Sequence, residues 1–283
     1  ENIDTSWSRV KGGEAIGKEI DQIIEKFDPK DMSASVPALL ALRKEMSALP
    51  GAQGQGQGLR GGQGAVDPLL QEKRADLDLI LQQCLGLEVT TSIPHHEVVP
   101  GETLDMQHTA RLTSPLPAGL TVKWKTVKYP LLKKEIKRGD VLKAGSDSSF
   151  TSKETLPAST PVSQPYWLTK EDKVGLFQVD DAKLIGTAEN APAFPVEDTF
   201  EIDEQELVVK SEPLQITAAG SSHDSSKLDV IPPVSVRFKS GVNIFKPGVS
   251  RTENVEVIAS REHTKGKLYL KAPANWKIEP KEV

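Results

Sequence analysis

With one cysteine in 283 residues, the chain can form no internal disulfide and no multi-cysteine metal site. Aromatic residues are scarce at 5%, so each large ring is a packing anchor or a piece of contact surface. Histidine is sparse too, and only His95-His96-Glu97, with His108 downstream, gathers metal-ligating types. Adjacent side chains on an extended chain point to opposite faces, so His95 and His96 do not chelate one ion without a bulge. No run of 18 apolar residues occurs, which leaves no candidate for a membrane-spanning helix. A net charge of −5 gives no global attraction to nucleic acid. No G-x-S-x-G nucleophile elbow occurs, and the acidic stretch at 197–206 lacks the glycine and terminal glutamate of a calcium loop.

What is present starts with helices. Ile16, Ile20, Ile23, Ile24 and Phe27 line one face of a helix ending near Asp28-Pro29. A second opens at Ser35 as a cap with Pro37 in its first turn, and carries Val36, Leu39, Leu40, Met46 and Leu49 to Pro50. A third follows Asp67-Pro68 and runs through Leu69, Leu70, Leu77, Ile80, Leu81 and Cys84 to Gly86, a left-handed stop. Cys84 lies on that apolar face as a buried structural thiol. Three helices of this length bury little alone, so their stripes need each other or a neighbouring domain. The glycine-glutamine tract at 51–64 has almost nothing to bury and reads as a mobile loop.

After Gly86 the period changes to 2. Leu87, Val89 and Thr91 alternate, and Pro100-Gly101 turns the chain before Thr103–Thr113. Leu120, Val122, Trp124 and Thr126 point one way while Lys123 and Lys125 point the other, predicting an inward tryptophan under a lysine-covered face. Phe200, Ile202 and Leu207, Val209 flank Asp203-Glu204-Gln205 as a hairpin. The carboxylates Glu197, Asp198, Glu201, Asp203, Glu204 and Glu206 read as the solvated face and turn of that hairpin rather than as an acid/base pair. The opposing basic stretch Lys123–Arg138 could pair two domains or guard an edge. Residues 218–229 read as a linker, and beyond it Val234–Phe238, Val242–Ile244, Val255–Val257 and Leu268–Leu270 mark about four more strands.

The expected architecture is mainly β with an N-terminal α-helical segment. Residues 1–86 form the helical segment and 87–217 an antiparallel β-sandwich; 230–283 form a partial immunoglobulin-like sandwich. Within the 87–217 sandwich, Ser163-Gln164-Pro165-Tyr166-Trp167-Leu168 sets two aromatics side by side behind a proline. Tyr166 and Trp167 read either as an anchor to the sandwich or, with Trp276, as exposed aromatics that stack on sugar rings. The anchor is the favoured reading of the pair. The chain begins at Glu1 without methionine or signal-peptide pattern, which predicts a processed or excised piece.

Trp7-Ser-Arg-Val-Lys-Gly-Gly13, Ser35-Val-Pro-Ala-Leu-Leu-Ala-Leu42, Gln164-Pro-Tyr-Trp-Leu168 and Ile231-Pro-Pro-Val-Ser-Val236 occur in this order. Together they resemble the region that follows the catalytic domain in large bacterial PIG-L (LmbE-like) de-N-acetylases. Ala272-Pro-Ala-Asn-Trp276 and Lys277-Ile-Glu-Pro280 are similar to the immunoglobulin-like module associated with α-galactosidases and other secreted glycan enzymes. The resemblance implies a parent that removes acetyl groups from N-acetylated amino sugars with zinc held by a His-Pro-Asp-Asp motif. Asp180-Asp181 lacks the preceding His-Pro, so no catalytic or metal residue carries over to this chain. It implies a non-catalytic accessory region without a cofactor of its own, an upstream catalytic domain as partner, glycan as a second partner, and a periplasmic or secreted location.

Overall fold

The computed structural model describes residues 6–7, 10–50, 68–170, 175–216 and 225–283. The 51–64 tract, Asp67, residues 218–224 of the expected linker and His223 therefore lie outside the described residues. The chain is mainly β, with three N-terminal helices and strands in four mostly antiparallel sheets. It divides into two compact units. The first is Glu1–His96, Asp105–Glu154 and Phe194–Leu228; the second is Glu97–Leu104, Thr155–Ala193 and Asp229–Val283. Among the described residues no helix is long and apolar enough to cross a membrane.

In the first unit α1 (Gly13–Glu25), α2 (Val36–Ala48) and α3 (Pro68–Cys84) form where apolar spacing placed them. Their burial is uneven. α2 buries Val36, Leu39, Leu40, Leu42 and Met46, and α3 buries Leu70, Leu77, Leu81 and Cys84, but along its stripe α1 buries only Ile16. Gly86, at φ 61°, stops α3 in the left-handed region that glycine enters without steric cost. A Cβ there would also lie 2.4 Å from the Thr113 hydroxyl. Arg43 of α2 pairs with Asp78 of α3 at 2.6 Å and donates to the Glu206 carbonyl at 2.7 Å, tying the helices to the hairpin turn.

The strands in chain order begin with β1 (Leu87–Ser92), β2 (Glu97–Val98), β3 (Thr103–Leu112) and β4 (Val122–Tyr129). Next come β5 (Lys134–Val141), β6 (Asp147–Thr155), β7 (Val196–Ile202), β8 (Gln205–Ser211) and β9 (Pro213–Ile216). The last are β10 (Ser225–Lys227), β11 (Asp229–Val230), β12 (Val234–Phe238) and β13 (Val255–Ala259). One sheet of the first unit has the order β10-β9-β1-β3-β6 and the other β5-β4-β7-β8. Their inner faces meet through Trp124 and Phe150, with ring centroids 5.5 Å apart, and through Tyr129 and His108 at 5.8 Å. Trp124 is fully buried as the alternation predicted, with a register shift between Trp124 and Thr126. β7 and β8 join through Asp203 and Glu204, both at positive φ (47° and 62°), the two-residue turn whose twist matches a hairpin.

The second unit is thinner. β2 and β11 pair in parallel, and β12 and β13 pair antiparallel with Val236 opposite Val257 and Phe238 opposite Val255. Of the four strands expected after residue 230, Val234–Phe238 and Val255–Ala259 form, while 242–244 and 268–270 lie outside regular strands. Val242 and Ile244 are almost fully exposed, so those alternating residues have no sheet to pack on.

Candidate functional site

Tyr166 and Trp167 sit in a single 3-10 turn, Tyr166–Leu168, each half-buried, with rings edge to face at 4.8 Å. The preceding residues fix this turn. The Ser163 amide donates to the Val230 carbonyl at 2.8 Å, and the Ser163 hydroxyl accepts from the Val230 amide at 2.9 Å. Asn190 completes the clamp: its side-chain oxygen accepts from the Tyr166 amide at 3.0 Å and its amide donates to the Gln164 carbonyl at 2.6 Å. The pair is thus held by main-chain bonds on both sides, and its perpendicular rings offer no common flat face.

Trp276 lies elsewhere in the same unit, half exposed, edge to face with Phe245 at 4.9 Å. The Arg251 guanidinium stands 5.9 Å from the Phe245 ring centre, and Glu253 faces Arg251 at 3.3 Å while accepting from the Asn243 amide at 2.6 Å. Phe245, Arg251 and Asn243 are not singled out by the sequence because they lie more than 20 residues from Trp276 and meet it only through the fold.

In the first unit a chain of polar groups crosses the inter-sheet space. His108 is buried, with Nδ1 at 3.1 Å from the Thr91 hydroxyl and Nε2 at 2.9 Å from the Tyr129 hydroxyl and 3.0 Å from Ser152 Oγ. Tyr129 and Ser152 lie 2.8 Å apart, and Phe150 stacks on the imidazole at 4.7 Å. Burial, and secondarily the Arg138 charge, pushes the His108 pKa down to about 4. Burial pushes the Tyr129 phenol up to about 12. The serine-imidazole contact has two members of a nucleophilic set, but a hydroxyl stands where a carboxylate would stabilise the imidazolium. Holding the two sheets in register is the chemistry this arrangement performs well.

Asp198 corrects the expectation for the acidic stretch. It is fully buried, accepts from the Trp124 indole at 3.2 Å, and leaves its second oxygen without a hydrogen bond. Burial raises its pKa to about 7, against the opposing pull of the indole and the Ser211 hydroxyl. The signal was present in the sequence: Val196, Asp198, Phe200 and Ile202 share one parity, and the other three face the core. Of the remaining acidic side chains, Glu201 meets the basic stretch, and the basic stretch also pairs within itself. Lys125 pairs with Glu201 across β4 and β7, and Lys128 with Glu135 across β4 and β5 at 3.6 Å. Those charges stitch neighbouring strands.

His95 is exposed, His96 Nδ1 lies 2.6 Å from the Gln215 side-chain oxygen, and His108 belongs to the buried chain. Among the described residues no three metal-ligating side chains converge, so these donors do not fit the zinc the family resemblance implies for the parent. Cys84 is buried, and burial raises its thiol pKa.

The three helices leave an apolar cleft of about 350 Å³, lined by Ile20 and Ile24 of α1, Phe27 just beyond it, Leu39 of α2, and Leu77 and Ile80 of α3. Ile24 is 67% exposed and Ile80 47%, so the stripe of α1 stays open after the helices have packed.

No protein-family profile matches the chain, and no curated protein matches it. Among solved structures it aligns with the sporulation control protein Spo0M of Bacillus subtilis at 12% identity, over 44% of this chain and 47% of that one, with a TM-score of 0.21. It also aligns with the Pseudomonas fluorescens alkylpurine DNA glycosylase AlkC bound to DNA containing an abasic site analog. There the identity is 10%, over 69% of this chain and 50% of that one, and the TM-score is again 0.21. The chain spans about half the length of both, and at that TM-score neither likeness carries an argument.

Proposed function

We propose that this chain is a non-catalytic accessory region of a multidomain PIG-L-like deacetylase of N-acetylated sugars, docking on its catalytic domain through the open face of α1 and α3. The observation that carries the reading is the unfilled cleft: Ile24, Phe27 and Ile80 line it and remain exposed, although Leu39, Met46 and Leu77 of the same cleft are buried. An apolar patch of this kind on a folded chain marks an interaction surface. In this proposal the zinc and the hydrolytic residues belong to the catalytic domain, and the parent acts outside the cytoplasm, in the periplasm or secreted.

The test is titration calorimetry of the full chain against a recombinant PIG-L-type deacetylase domain. Ile24→Asp and Ile80→Asp each place an uncompensated charge in the contact and should weaken association at least tenfold, while far-ultraviolet circular dichroism stays unchanged. Association that ignores both substitutions would remove the helical face from the account.

A second reading is carbohydrate binding through exposed aromatics. The half-exposed indole of Trp276 favours it, since a ring open on one face can stack on the apolar face of a sugar.

A further inference from the structure

We propose that the Trp276–Phe245–Arg251 cluster binds a neutral pyranose ring, Trp276 offering the stacking face and Arg251 the hydrogen-bond donors. This rests on the carbohydrate reading above and narrows it to one site, away from Tyr166 and Trp167.

Phe245 is the hub. Trp276 meets it edge to face, at 79° between ring planes, and Arg251 stands beside the same ring. Both partners therefore contact one phenyl group. The indole stays half exposed and the Arg251 side chain is 51% exposed, so both face solvent. Glu253 holds the guanidinium from behind: its carboxylate lies 3.3 Å from Arg251 Nε and is itself fixed by the Asn243 amide. Among the described residues no hydrogen bond is seen for the terminal Arg251 nitrogens, and the side chain is half exposed, so its donors are accessible to a ligand.

The chemistry selects the ligand class. A pyranose with equatorial substituents has a flat face of axial C–H groups that suits an indole, and hydroxyl or acetamido oxygens at its edge that accept from a guanidinium. Glu253 neutralises Arg251, so the cluster lacks the uncompensated positive charge that a sulfated or phosphorylated ligand would need. One stacked ring and a pair of hydrogen bonds on an open surface correspond to a Kd on the order of 1 mM. Tyr166 and Trp167 differ in their anchoring: the turn that carries them is bonded through its main chain to Asn190 and Val230.

The experiment is saturation-transfer NMR on the full chain, with N-acetylglucosamine hexamer and cellohexaose as probes at millimolar concentration. The expected result is transfer to at least one probe, reduced at least tenfold in apparent affinity by Trp276→Ala and by Arg251→Gln, and unchanged by Trp167→Ala. Trp276→Tyr keeps an aromatic ring and should bind with intermediate strength. If Trp276→Ala unfolds, Arg251→Gln on the exposed surface decides. Binding that survives Arg251→Gln but disappears with Trp167→Ala would overturn this site while leaving carbohydrate binding intact. Absence of transfer to both probes would remove both.

Discussion

An ionised carboxylate at Asp198 has one indole N–H and one serine hydroxyl in place of water, which is why its pKa rises to about 7. The neutral acid is favoured in the fold, so this contribution to stability is full below the unfolded value of 3.8 and is lost as pH rises through about 7. His108 acts in the opposite sense. Its pKa falls from 6.5 to about 4, so its contribution is full above 6.5 and is lost as pH falls through about 4. The two slopes oppose each other between about pH 4 and 6.5, and the native protein should show a shallow stability profile there. Asp198→Asn keeps an acceptor for the Trp124 indole and removes one slope. Urea midpoints should then rise steeply from pH 4 to 6.5, with the variant up to about 4 kcal/mol more stable than the native chain at pH 8. A variant whose profile parallels the native one would show that the carboxyl is not buried as described.

Gly86 gives a second residue-scale prediction. Its left-handed φ and its approach to Thr113 leave no room for a Cβ, so Gly86→Ala should cost at least about 1 kcal/mol in chemical denaturation. An unchanged midpoint would contradict that geometry.

At the scale of elements, the β7–β8 turn carries two non-glycine residues at positive φ, a conformation that Asn-Gly adopts with less strain. Replacing Asp203-Glu204 with Asn-Gly should stabilise the protein by about 0.5–1 kcal/mol, read as a higher thermal midpoint; a lower one would mean that the turn is not of this type. The hairpin was legible in the sequence because alternation persists on both sides of it, as it does for the inward Trp124. The helices were legible for the same reason, since apolar spacing and a glycine stop are local. What remained hidden depends on non-local partners. The depth of Asp198 is set by the sheet that covers β7, and the exposure of Ile24 by how α2 and α3 pack. The Phe245–Trp276 contact joins two loops whose residues carry no periodic signal. Residues 242–244 and 268–270 alternate like strands, yet 242–244 form no regular strand and 268–270 make only an isolated bridge, Tyr269 to Glu282.

At the scale of the whole molecule, the chain combines a first unit with a dense aromatic and polar interior and a second unit whose apolar residues are largely exposed. Several titratable groups serve internal order: Lys134 on Glu154 at 2.7 Å, Arg261 on Glu102 at 2.7 Å, His108 and Asp198 in the interior. Exposed apolar side chains gather beside the helical cleft, and an apolar patch of that kind suits a region that contacts other molecules. The central claim is that the open face of α1 and α3 is a docking surface, and amide hydrogen exchange tests it most directly. Adding a PIG-L-type deacetylase domain should slow exchange across residues 20–27 and 73–84 and leave the β4–β7 ladder unchanged. Identical exchange in those helices with and without that domain would contradict the account.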